Sequence, residues 1–205
     1  YIKDFGFGAK SGIELPGESR GLLRSVETWS GVDIGMHSFG QGVAVTGVQM
    51  VSAYSVIANH GRYIKPRIVK YFSNKEGTTR KAIPVKESLQ VVSESTAYEV
   101  QKVLQNVVER GTGKGVRIPD YSVAGKTGTA QKPKANGRGY EPGKYVSSFI
   151  GFFPVIDPEI VILVAVDSPK NVYYGSAVAG PVFANCAKFL IDYLHIKPDE
   201  LVTKK

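Results

Sequence analysis

Cysteine is nearly absent. Cys186 is the sole example in 205 residues, so no disulfide can form within the chain. Its neighbours Phe183, Ala184, Ala187 and Phe189 predict a small buried hydrophobe rather than a reactive thiol. Long apolar runs are also missing. None reaches the roughly 18 residues of a membrane-spanning helix, and the densest stretch, Ile160 to Val166, has the length of a buried strand. The opening residues, Tyr1-Ile2-Lys3-Asp4, lack the basic-then-apolar order of a signal peptide. Histidine is sparse: His37, His60 and His195 have no acid at a triad-like spacing and are expected at the surface or at caps. No Cys/His cluster suggests a metal site, and no cofactor is expected.

What is present is ordinary globular material, 42% hydrophobic and 21% charged, in a length that suits one domain with its own core. The net charge of +8 is uneven. Eight basic residues and one acid, Glu76, fall between Arg62 and Lys86, and give that segment +7. Such a tract could meet nucleic acid, anionic lipid or an acidic polymer. No nucleic-acid-binding motif accompanies it, so nucleic acid is not expected as a partner, and a solvated face explains the charge equally well.

Turn residues dominate positions 1 to 42, where Phe5-Gly6-Phe7-Gly8, Leu15-Pro16-Gly17-Glu18 and Ser38-Phe39-Gly40-Gln41-Gly42 predict loops and short turns. A helix is expected from about Thr46, a suitable N-cap, to Asn59, with Gly61 as a left-handed stop. Residues 63 to 72 and 79 to 85 predict two strands around Asn74-Lys75-Glu76-Gly77, a hairpin-like excursion within about 62 to 86. Ser93 to Glu109 predicts an amphipathic helix with Ala97, Val100, Val103, Leu104, Val107 and Val108 on its apolar face, closed by Gly111-Thr112-Gly113.

Three strands follow, at 122–131, 146–155 and 159–167, the last two joined by a tight turn at Asp157-Pro158. Between the first two, Lys132 to Lys144 predicts a polar, mobile link of net charge +3. A final helix over about 177–194, with Pro181 in its first turn, is expected to bury Phe183, Ala187, Leu190, Ile191 and Leu194. An antiparallel sheet flanked by helices makes the fold class α+β.

The informative segment is Val123-Ala124-Gly125-Lys126-Thr127-Gly128-Thr129-Ala130. Its bland readings are an edge strand with a protective lysine, or chance. A phosphate-binding loop is excluded. That pattern needs glycine where Asp120 stands, and a helix where Gln131-Lys132-Pro133-Lys134 follows. Gly6-Phe7-Gly8 likewise lacks the third glycine of a dinucleotide fingerprint.

Lys-Thr-Gly is one of the three marker motifs of serine β-lactamases and penicillin-binding proteins. Further segments agree with it, in order. Phe5-Gly6-Phe7-Gly8 with Gly12-Ile13 and Leu15-Pro16-Gly17-Glu18 resembles the stretch after the second motif of these transpeptidases. Ser38-Phe39-Gly40-Gln41-Gly42 with Gln49-Met50 and Ala53-Tyr54 resembles the stretch before the third. Ser148-Phe149-Ile150-Gly151-Phe152-Phe153-Pro154 resembles the strand after it, and Tyr174-Gly175-Ser176 through Phe183 the start of the last helix. Over about 1–194 the chain resembles a class B penicillin-binding protein of the division, elongation or sporulation type.

The resemblance implies a partial transpeptidase domain of serine β-lactamase-like fold, with residues 1–205 as its C-terminal portion. It implies a D,D-transpeptidase that cross-links peptidoglycan stem peptides ending in D-Ala-D-Ala and is acylated by β-lactams. Lys126 would place charge near the donor carboxylate and in the proton network. The Thr127 and Thr129 hydroxyls would bond that carboxylate, and Gly128 would let substrate lie along the strand. The Thr129 backbone N–H would be one oxyanion donor. No serine here has a lysine three residues on, and no Ser-x-Asn occurs. The nucleophile is therefore expected outside this chain, and the chain alone is expected to be inactive. Other expected partners are the remainder of its own domain and other cell-wall synthesis proteins. The expected location is the extracytoplasmic face of a bacterial membrane, with an anchor upstream. A penicillin-sensing receptor and a purely structural fragment remain as alternatives. Ser38–Gly42 and Ala53-Tyr54 favour the enzyme over the receptor.

Overall fold

A computed structural model describes residues 1–85, 88–134 and 139–199. Lys86 of the basic tract and residues 135–138 of the expected link lie outside them. The chain divides into two compact units, Tyr1–Val56 with Gly61–Ser93, and Ile57–His60 with the chain from Glu94 onward.

The first unit has little regular structure. It holds α1 (Gly31–Ser38), most of α2 (Gly47–Ala58) and four short strands, β1 (Arg62–Tyr63), β2 (Tyr71–Ser73), β3 (Arg80–Ala82) and β4 (Leu89–Gln90). Within the stretch expected to be turn-rich, residues 31–38 form a helix, because Ser30 and Asp33 form a capping box in which the Asp33 carboxylate accepts from Ser30 N at 2.6 Å and from Ser30 Oγ at 2.7 Å. Arg24 pairs with the same carboxylate. Helix α2 starts where expected. Thr46 N donates to Gln49 Oε1 at 2.9 Å, and Gln49 N donates to Thr46 Oγ1 at 3.1 Å. The Gln49 side chain, 1% exposed, also donates to Ala9 O and Arg20 O, and so ties two glycine-rich loops to one helix start.

The two strands expected from 63 to 85 are broken into short pairs, β1 with β4 and β2 with β3. Pro66, which cannot donate to a ladder, stands between β1 and β2. The hairpin at Asn74–Gly77 forms, with Gly77 N bonded to Asn74 O at 3.0 Å.

The second unit holds α3 (Glu94–Glu109), the antiparallel sheet β5 (Ala124–Pro133), β6 (Tyr140–Phe153) and β7 (Ile160–Asp167) in the order β5-β6-β7, and α4 (Gly175–Leu194). Helix α4 lays Ala179, Phe183, Ala187 and Ile191 on the sheet, where Phe183 meets Phe149 and Phe153 edge-on at centroid distances of 4.7 and 6.2 Å. This stripe identifies α4 as a core helix, although its length and composition would also suit a membrane span.

Several expectations change here. Leu194 is exposed, and so is Cys186. Cys186 points to the side of α4 that carries the exposed Val182, Phe189 and Tyr193, away from the Phe183 stripe. On α3, Val103 is exposed, whereas Gln101 is buried and donates to Ile57 O at 2.7 Å. Much of the expected 132–144 link is ladder. Strand β5 runs to Pro133, β6 begins at Tyr140, and a register shift between Gln131 and Pro133 accommodates the proline.

Candidate active-site strand

Strand β5 lies at one edge of the sheet, and among the described residues its only partner is β6. Its register places Lys126 opposite Ile150, Thr127 opposite Phe149, Gly128 opposite Ser148 and Thr129 opposite Ser147. Alternation then puts the two threonines on one face, the face where Phe149 meets α4, and Lys126 and Gly128 on the other. All four positions predicted for the site therefore form one continuous stretch of open edge.

Lys126 is exposed, and its ammonium donates to Thr127 O at 2.9 Å, folding back along the edge; among the described residues no acid pairs with it. Gly128 faces Ser148 so closely that a β-carbon would sit 2.5 Å from Ser148 Oγ, and the strand stays narrow there. The hydroxyls of Thr127 and Thr129 are both engaged from outside the strand. Thr127 Oγ1 lies 3.0 Å from Thr112 Oγ1, on the loop that leaves α3. Thr129 Oγ1 accepts from the backbone N–H of Gly175, the first residue of α4, at 3.3 Å.

Gly175 is buried against the strand. A β-carbon on it would lie 2.5 Å from Gly128 O and would also strike Ser148 O. Tyr145, Tyr173 and Tyr174 form a run beside this junction, with centroid distances of 4.3 Å and 4.7 Å. Ser147 Oγ, on the strand opposite Thr129, donates to Tyr173 O and ties that run to the sheet. The bond to Tyr174 and the neighbouring phenols hold the Tyr173 hydroxyl above its ordinary range.

Lys132, further along β5, reaches across to the end of β7, where its ammonium bonds both Asp167 oxygens at 2.7 and 2.8 Å. That bond, with a second from Ser168, holds the Asp167 carboxyl below its ordinary range.

Thr112 and Gly175 carried no functional signal in the sequence. Gly111-Thr112-Gly113 read only as a helix stop, and Gly175 only as part of a helix start. Among the described residues no group of three or more His, Cys, Asp or Glu could hold a metal ion.

This edge-strand geometry can be set beside known proteins. A family profile described as penicillin binding protein transpeptidase domain matches residues 1–188. The chain is 42% identical over 201 residues to stage V sporulation protein D of Bacillus subtilis, covering 97% of the chain and 31% of that relative. It is 37% identical over 200 residues to the probable peptidoglycan D,D-transpeptidase PbpC of Pseudomonas aeruginosa, covering 96% of the chain and 33% of that protein. The crystal structure of penicillin binding protein 3 from Mycobacterium tuberculosis complexed with ampicillin superposes with a TM-score of 0.89 at 34% identity, over 97% of the chain and 46% of that structure. The chain thus spans about a third of the length of each of these two curated relatives. It belongs to the penicillin-binding protein transpeptidase domain family.

Proposed function

We propose that this chain is the C-terminal portion of one transpeptidase domain and supplies the substrate strand of a peptidoglycan D,D-transpeptidase. The observation that carries the reading is Lys126-Thr127-Gly128-Thr129 on an open sheet edge, with a side-chain-free position at Gly128. An extended peptide ending in D-Ala-D-Ala, or the β-lactam that mimics it, adds to this edge as a further strand. Lys126 places positive charge by the terminal carboxylate and takes part in proton transfer. Thr127 and Thr129 donate hydroxyls to that carboxylate. The Thr129 N–H is one of two oxyanion donors.

The attacking serine, its lysine and the second-motif serine come from outside these residues, because neither Ser-x-x-Lys nor Ser-x-Asn occurs here. This chain alone therefore forms no penicillin adduct, and a stoichiometric mass gain on one of its serines would overturn that statement. The working partner is the remainder of the same domain, alongside other cell-wall synthesis proteins. The intact protein acts at the extracytoplasmic face of the membrane.

In the full-length protein, Lys126→Ala removes at least about 100-fold of the acylation rate by a β-lactam, as expected when a general acid–base group is lost. Thr129→Ala instead removes one charge-assisted bond, about 1.5–3 kcal/mol, and only for ligands with a free carboxylate. Stopped-flow acylation by a β-lactam and its methyl ester tests both. Equal losses for acid and ester at Thr129 would remove its assigned role.

A further inference from the structure

The two hydroxyls of β5 raise a problem of direction. A threonine hydroxyl has one proton and two lone pairs. It serves a carboxylate only if its proton points outward, and a neighbouring acceptor would draw that proton inward. At Thr129 the direction is fixed, because its neighbour is the Gly175 N–H, which can only donate. The N–H occupies a lone pair and leaves the hydroxyl proton for a ligand. At Thr127 the neighbour is another hydroxyl, Thr112 Oγ1 at 3.0 Å, and either can donate.

We infer that Thr112 is a positioning residue. Its hydroxyl donates to Thr127 Oγ1 and so aims the Thr127 proton at the carboxylate of a ligand lying on β5. The inference rests on the reading of β5 as the carboxylate-binding strand and adds a residue that lies on a different element, with no contact to the ligand required. An anionic carboxylate is a better acceptor than a hydroxyl oxygen, so ligand arrival selects the relay in which Thr112 donates to Thr127 and Thr127 to the ligand.

The loop that presents Thr112 is anchored on both sides. Gly111 N and Gly113 N both donate to Val107 O, at 3.1 and 3.0 Å, and Val116 N donates to Gly113 O at 3.0 Å. The Arg117 guanidinium bonds Glu109 O and closes the loop onto the end of α3. A hydroxyl held on so short and multiply bonded a turn keeps its place relative to β5, as positioning demands.

The experiment uses the full-length protein with Thr112→Val, Thr112→Ser, Thr127→Val and the Thr112→Val/Thr127→Val double variant. The readout is the ratio of acylation rate constants for a β-lactam and its methyl ester. Thr112→Val lowers the acid-to-ester ratio roughly five- to tenfold, the factor expected for one oriented hydrogen bond. Thr112→Ser restores the ratio, and Thr112→Val adds nothing once Thr127 is valine.

A ratio untouched by Thr112→Val while Thr127→Val collapses it overturns the inference alone. A wild-type ratio near one, untouched by Thr127→Val, overturns the carboxylate reading of β5 and the inference with it. Losses at Thr112→Val that are equal for acid and ester also overturn the inference, since they describe a structural role. Should the valine variant fail to fold, Thr112→Ala with the same serine control decides the matter in the same terms.

Discussion

The two units are held by different physics. In the first, a few buried or half-buried polar side chains each take several hydrogen bonds. Gln49 bonds three loop and cap positions, Asp33 bonds Ser30 and Arg24, and Glu18 bonds Ser11 and Gly12. In the second, aromatic and aliphatic side chains fill the space between one sheet and one helix, around Phe149, Phe153 and Phe183. Hydrogen bonds to a single amide are directional and fail together when that amide is lost. Apolar packing is spread over many contacts, and its loss scales with the volume removed.

The sharpest way to break the comparison is Phe183→Ala. The ring is fully buried between β6 and α4, so about 3–5 kcal/mol of stability is lost. Denaturant unfolding of the full-length protein measures it, and hydrogen exchange should show β6 and β7 opening together. A change confined to α4 would mean that the sheet does not depend on this packing.

Next in size is Gln49→Leu, which keeps apolar volume but leaves Ala9 O, Arg20 O and Thr46 N to water, at about 1–3 kcal/mol in all. Here exchange should rise over residues 9–21 and 44–49 and stay unchanged over 122–167. Uniform loss in both regions would erase the distinction between the units.

The smallest effect is the pH response. Bonds from the Ser30 side chain and N–H, and the charge of Arg24, hold the Asp33 carboxyl below its ordinary range. A depressed folded-state value contributes stability that is fully present above the unfolded value of about 3.9 and is lost as pH falls through the folded one. Acidification below pH 4 should therefore loosen residues 24–37 locally, and Asp33→Asn should flatten that response. Amide exchange or tryptophan fluorescence of Trp29, which stacks on His37 at 4.1 Å, reports it.

The contrast also explains what the sequence revealed. Periodicity found α3 and α4, because apolar packing leaves a repeating pattern along a helix, and the continuous apolar run Ile160 to Val166 marked β7. In the first unit that pattern marks only α2, expected from about Thr46 to Asn59 and found at Gly47–Ala58. Helix α1 was legible only through Ser30 and Asp33 at capping-box spacing, and the run of glycines around it obscured that signal. Gln101 was missed because a buried amide bonded to a backbone carbonyl looks, in sequence, like any exposed polar residue on a helix. Lys126 to Thr129 stood out as four unusual residues on one strand. Thr112 did not, because its partner lies on another element, and no local spacing encodes a contact of that kind.

Helix α4 meets β5 at its first residue, and the segment that follows the helix bonds the residues that lead into β5. The helix's first residue meets Thr129 and Gly128, and just past its last turn Ile196 O accepts from Tyr121 Oη at 2.7 Å, while Asp199 Oδ2 accepts from Ser122 N at 2.6 Å. The helix is a strut of fixed length, about 30 Å at 1.5 Å per residue, clamped beside the start of the strand at one end and beside the substrate residues at the other. Substitution along its outer side leaves both clamps in place. Insertion or deletion of one residue turns one end by about 100° relative to the other and moves it by about 1.5 Å, so no gap in α4 can satisfy both. Homologous chains that keep this strand should therefore vary freely in composition at Val182, Cys186, Phe189 and Tyr193, and scarcely at all in the number of residues between Gly175 and Asp199.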